Sequence, residues 1–125
     1  MNVPDQLFYT KDHEWVEFDQ DKITIGITDY AQSQLGDIIF VEMPLAGDIF
    51  AAGNTFGEIE AVKTVSELYA PLSGTVIEVN DSIEKEPESV NTDPYGKGWL
   101  IKLKCSNQLE KSSLLSSSEY EKLIS

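Results

Sequence analysis

The segment Pro44-Leu45-Ala46-Gly47-Asp48-Ile49-Phe50 returns 27 residues later as Pro71-Leu72-Ser73-Gly74-Thr75-Val76-Ile77. The two copies agree in Pro, Leu and Gly, in the small residue before the Gly, and in the two apolar residues that close the segment. The register continues, with Gly53-Asn54-Thr55-Phe56 opposite Asn80-Asp81-Ser82-Ile83. Each copy reads as strand, Pro-Leu-small-Gly turn, strand, polar turn. Two copies are too few to stack as a solenoid, but two half-sheets can close on each other as a flattened barrel or sandwich. The expected fold is therefore mostly β, with two antiparallel half-sheets closed on each other.

The same offset sets Lys63 opposite Gly36. From Gly57 to Ala61 the apolar Ile59 and Ala61 alternate with Glu58 and Glu60, the period of a strand with one wet face. Val62 breaks that rhythm, and a second β-rich run from Val65 to Ala70 leads into Pro71. The chain is therefore expected to reverse near Lys63, which puts a lysine at a hairpin tip. Gly36 is itself a position of chain reversal, so the repeat supports the turn.

Before the repeat, Glu14-Trp15-Val16-Glu17-Phe18 and Lys22-Ile23-Thr24-Ile25-Gly26 flank the polar Asp19-Gln20-Asp21 and predict a hairpin, preceded by a short strand at Leu7-Phe8-Tyr9. Thr28 is a good N-cap, Asp29 suits a first turn, and Gly36 can take the left-handed position that ends a helix. These residues predict a short helix over 29–35. Ile38 to Val41 is a dense β-branched run. Beyond the repeat, Asp81 to Ser89 is acidic and reads as one helical turn or irregular chain ended by Pro87. Asn91 to Gly98 reads as a loop, Trp99 to Cys105 as a closing strand, and Ser106 to Ser113 as a polar linker. Ser116 with Glu119 forms a capping box ahead of Tyr120, Leu123 and Ile124, which predicts a C-terminal helix. At 125 residues one domain is expected, with 1–27 as an N-terminal hairpin extension, 28–105 as core, and 106–125 as linker and helix.

Charge narrows the possible partners. There are 22 acidic residues against nine lysines, no arginine, and a formal net charge of -13. Nucleic acid and anionic membranes require clustered cations, so neither is an expected partner, and partners should present basic surfaces. The absence of arginine also removes the bidentate grip of a dedicated nucleotide site. One cysteine, Cys105, and one histidine, His13, allow neither an internal disulfide nor a zinc site of Cys and His ligands, so no metal is expected. The chain opens without a signal or transit pattern and holds no long apolar run, which makes the cytoplasm the expected compartment.

As a catalytic amine, Lys63 would need an apolar pocket or a cationic neighbour to lower its pKa. Its neighbours Glu58, Glu60 and Glu67 act in the opposite sense, and a hairpin tip does not exclude water. A protruding lysine between strands suits another role: an enzyme can grip the turn, acylate the amine, and leave a long arm free to swing. Composition leaves that role and a plain solvated turn residue both open.

Glu60-Ala61-Val62-Lys63, with Gly74 eleven residues beyond the lysine, is similar to the lipoylation signature, in which a Glu precedes the modified lysine by three and a Gly follows by eleven. His13-Glu14-Trp15-Val16, Gly26 to Ala31, Leu35 to Pro44, and Pro94 to Leu100 stand in the order found in the H-protein family of the glycine cleavage system. The resemblance runs from about Tyr9 to the C-terminal helix. It implies a lipoyl/biotinyl-type barrel-sandwich hybrid of two antiparallel half-sheets and a carrier that is not an enzyme, with lipoate amide-linked to Lys63. It also implies that Glu60 and Gly74 are read by the modifying enzyme, a lipoate ligase or a lipoyl/octanoyl transferase.

The implied partners are the pyridoxal-phosphate glycine decarboxylase, the tetrahydrofolate-dependent aminomethyltransferase and the flavin dihydrolipoamide dehydrogenase, between which the arm shuttles an aminomethyl group. His13 and Glu14 carry over from the family's His-Glu-Trp segment as residues near the loaded arm. Val62 and Thr64 beside the lysine, where biotin carriers usually place methionines, argue against biotin. A lipoyl relay that donates to other carriers, or an unmodified interaction module, would look the same in sequence.

Overall fold

The computed structural model describes residues 2–125, without the side chains of Gln108 and Leu109. Nine strands form two antiparallel sheets. The strands are β1 (Phe8–Tyr9), β2 (Glu14–Asp19), β3 (Lys22–Ile27), β4 (Ile38–Glu42), β5 (Ile49–Phe50), β6 (Thr55–Ala61), β7 (Val65–Tyr69), β8 (Gly74–Val79) and β9 (Ile101–Cys105). The larger sheet has the order β1-β2-β3-β9-β8-β5, and the smaller has the order β4-β6-β7. Val16, Ile25, Ile59, Leu68, Val76 and Leu103 are among the apolar side chains from both sheets that bury against one another, joined by Leu72 from the turn between β7 and β8. The alternation of apolar and polar residues in Lys22–Ile27 and Thr55–Ala61 is what lets each strand offer one dry face to that core.

The repeat is legible in three dimensions. Strand β4 over 38–42 and strand β7 over 65–69 are related by the 27-residue offset, and they flank β6 in the smaller sheet. The two Pro-Leu-small-Gly turns lead into β5 and β8, which pair with each other, Ile49 with Thr75 and Phe50 with Gly74. The halves are nevertheless unequal. The residues opposite β6 are not a strand: α2 (Ser82–Lys85) lies there, its Ser82 N–H and hydroxyl both donating to the Asn80 Oδ1, and the chain then meets Pro87. The hairpin β2-β3 adds to the larger sheet through the β3-β9 ladder, giving six strands against three.

Helix α1 (Asp29–Leu35) occupies the predicted span, with the Thr28 hydroxyl accepting the Ala31 N–H. Gly36 ends it at φ 79° and ψ -158°, outside the left-handed helical region expected from sequence but still in territory that essentially only glycine enters. The loop expected over 91–98 begins as helix, because α3 (Ser89–Thr92) includes its first two residues. The closing strand starts at Ile101, two residues later than predicted. Part of the expected linker is a 3-10 helix, Gln108–Ser113. Helix α4 (Ser117–Ile124) carries the predicted capping box, with both Ser116–Glu119 bonds present. Its Tyr120 stacks on Tyr9 at 4.7 Å in a second apolar cluster with Leu7 and Trp15. No helix among the described residues is long and apolar enough to cross a membrane.

Candidate functional site

Lys63 stands between β6 and β7. Below it Glu60 pairs with Val65, and the Ala61 N–H donates to the Thr64 carbonyl at 2.8 Å. Outside the hairpin the Val62 N–H donates to the Asp37 carbonyl at 3.1 Å, so the turn backbone is tied to the β4 side as well. Val62, Lys63 and Thr64 are all exposed. The lysine leans on Gly36, where an added Cβ would lie 3.4 Å from its Cε and 3.8 Å from its Nζ. The residue that the repeat sets opposite Lys63 is thus also its neighbour in space.

Glu60 is exposed on β6, three residues before the lysine. Gly74 is buried at the start of β8, where a Cβ would come within 2.4 Å of the Lys104 carbonyl oxygen. The strand crossing itself demands glycine there.

Glu14 opens β2 and is 1% exposed. Its Oε2 accepts the Tyr69 N–H at 2.7 Å and its Oε1 accepts the Thr10 hydroxyl at 3.3 Å. No cation pairs with it among the described residues. Burial pushes its carboxyl group up to about 8, and the nearby Asp12 charge adds to the rise, while the bonds from Tyr69 and Thr10 oppose it. The carboxyl lines a cleft of about 440 Å³ with Thr10, Asp12, Tyr69, Pro71 and Leu115. Strand β7 connects this cleft to the lysine turn: at ~3.3 Å per residue, Tyr69 lies about 13 Å from Val65.

His13 faces the opposite way. It has a positive φ of 67°, its Nδ1 is 2.9 Å from the Tyr120 hydroxyl, and its ring packs on Tyr30 at 4.9 Å. The Tyr120 hydroxyl also bonds the Thr28 hydroxyl at 2.7 Å, so one phenol of α4 links the residue before β2 to the cap of α1. Burial holds the His13 imidazole below its ordinary range, against the pull of Asp12. The structure thus brings Glu14 to the cleft and His13 to the C-terminal helix, while Lys63 stays at the far end of β7.

Sequence reasoning missed Tyr69 and Tyr120. The first contributes a backbone N–H, which leaves no trace in residue type, and the second acts on residues about a hundred positions away. Among the described residues no cluster of His, Cys, Asp and Glu could hold a metal ion.

The family model for the glycine cleavage H-protein matches residues 7–125. A glycine cleavage system H protein of Listeria monocytogenes is 51% identical over 124 residues, covering 99% of both chains. One from Carboxydothermus hydrogenoformans is 52% identical over 122 residues, covering 98% of this chain and 94% of its own. The crystal structure of a glycine cleavage system H protein from Mycobacterium marinum superposes with a TM-score of 0.88 at 39% identity, covering 96% of this chain and 97% of that one. With nearly the whole chain matched in sequence and in fold, this protein belongs to the glycine cleavage H-protein family.

Proposed function

We propose that the protein is a carrier and not itself a catalyst, with lipoate joined to Lys63, and that it moves the aminomethyl group of glycine between enzymes in the cytoplasm. Bound there, lipoate would supply a reducible disulfide able to carry the aminomethyl group, and the partners of that chemistry would be the pyridoxal-phosphate decarboxylase, the tetrahydrofolate-dependent aminomethyltransferase and the dihydrolipoamide dehydrogenase. The observation that carries this reading is the exposed Lys63 amine on a turn whose backbone is bonded on two sides. Such a turn fits a covalent arm. The amine is open to an attaching enzyme, and its base is rigid enough to define where the arm starts.

The chain's own residues would then do three things. Glu60, exposed beside the turn, marks the lysine for the lipoate ligase or lipoyl/octanoyl transferase, and Gly74 contributes by letting β8 pack closely on β9 in the larger sheet. Glu14 waits at the cleft as a buried carboxyl without a cationic partner, so a cationic amine brought there gains a charge-assisted hydrogen bond. The cleft walls limit water around that amine and so slow its loss as formaldehyde.

Intact mass and peptide mapping of the protein purified from its host test the reading. A lipoyl increment on Lys63, absent from Lys63→Ala with the fold retained, is the expected result. Lipoate on the variant, or none on the native protein, would overturn it.

A further inference from the structure

The outer face of the smaller sheet carries two rows of side chains that cross all three strands. In the row nearest the lysine turn, Glu60 lies between Phe40 and Val65. In the next, Glu58 lies between Glu42 and Glu67. Phe40 is 48% exposed, Val65 56% and Val62 73%, so apolar surface surrounds Lys63 that nothing in the fold covers.

Like charges directly opposite one another across a sheet are destabilising, and here three stand in line. Glu67 accepts hydrogen bonds from the Tyr69 hydroxyl at 3.0 Å and the Thr55 hydroxyl at 3.5 Å, but neither supplies charge. Among the described residues the one ion pair, Lys102 with Glu78 at 3.8 Å, belongs to the other sheet. Protection of open edges accounts for carboxylates on β4 and β7. It does not account for Glu58 in the central strand, nor for apolar side chains left bare beside it.

We propose that this face is the docking surface for the enzyme that attaches lipoate to Lys63, and that the enzyme meets it with lysines and arginines around an apolar patch. The proposal rests on the carrier reading of Lys63. The attaching enzyme is the partner the surface fits because it meets the bare lysine. Enzymes that act later can hold the arm and its cargo, whereas this one has only protein surface to bind. Phe40 and Val65 give that contact an apolar centre beside Glu60, and the Glu42-Glu58-Glu67 row gives it a charged border that steers a basic partner.

The test is steady-state lipoylation of the purified, unmodified full chain by a lipoate ligase supplied with ATP and lipoate. The triple variant Glu42→Gln, Glu58→Gln, Glu67→Gln should raise KM about tenfold at low ionic strength with kcat nearly unchanged, and the difference should shrink in ~1 M salt, where screening acts within about 3 Å. Phe40→Ala with Val65→Ala should raise KM in any salt. A control with the same charge change elsewhere, Glu17→Gln, Glu86→Gln and Glu121→Gln, should leave KM as it was. The carboxylate variant should unfold at no lower urea concentration than wild type, since it relieves the repulsion while the amide oxygen at position 67 can still accept from Tyr69 and Thr55. An unchanged KM in the face variants, or an equal rise in the control, would overturn the docking surface. Failure of the ligase to acylate wild-type Lys63 would instead overturn the carrier reading beneath it.

Discussion

The Glu14 carboxyl group accepts the Tyr69 N–H at 2.7 Å, joining the first residue of β2 in the larger sheet to the last residue of β7 in the smaller. That bond places a buried acid where the two sheets meet. The backbone amide it uses lies on the strand that begins at the lysine turn.

Its burial makes stability depend on pH in a defined sense. The carboxyl group is pushed up to about 8 in the folded protein from an ordinary 4.5, so between those values the native state holds a proton that the unfolded chain has released. Stability then falls as pH rises through this window and levels off above it. Glu14→Gln keeps an acceptor for Tyr69 and removes the titration. Urea midpoints measured between about pH 5 and about pH 9 should fall more steeply for wild type than for the variant, and parallel profiles would contradict the assignment.

Glu14→Ala addresses function separately. Lipoylation at Lys63 should be intact, because the cleft lies at the other end of β7, while the aminomethyl cargo should be released as formaldehyde faster. A formaldehyde-trapping assay on the loaded protein measures this, and an unchanged release rate would remove Glu14 from the role.

Tyr120→Phe should cost about 1–3 kcal/mol by chemical denaturation, since the hydroxyl serves both Thr28 and His13 in a buried setting. Burial of the His13 imidazole gives an acid-side dependence. His13 is held below its ordinary 6.5, so the unfolded chain binds the extra proton first and stability is lost as pH falls through that range. A His13→Gln variant should be flatter there, and identical acid limbs would rule out His13 as the source.

Gly74→Ala should destabilise by about 1–3 kcal/mol, because the new Cβ would come within 2.4 Å of the Lys104 carbonyl oxygen in the paired strand. The fraction that remains folded should still accept lipoate. Full stability with lost lipoylation would show instead that the modifying enzyme reads Gly74 directly.

Local residue chemistry determined a good part of this molecule. The Thr28 cap and Gly36 stop set α1, the Ser116–Glu119 box set α4, and two-residue alternation set β2, β3 and β6, because each depends on neighbours within a few positions. Lys63 at a turn was legible for the same reason, since the rhythm of the strand fails just before it.

What only the tertiary structure decided lies in long-range pairing. The second copy of the repeat leaves the sheet at α2, where the Asn80–Ser82 hydrogen bonds and the nearby Pro87 outweigh the pattern, and the β2-β3 hairpin joins β9 to make the sheets unequal. His13 and Glu14 are adjacent in the chain yet point to different sites. A positive φ at His13 and partners on β7 and α4 settle their directions, and no local pattern encodes a contact made across the fold.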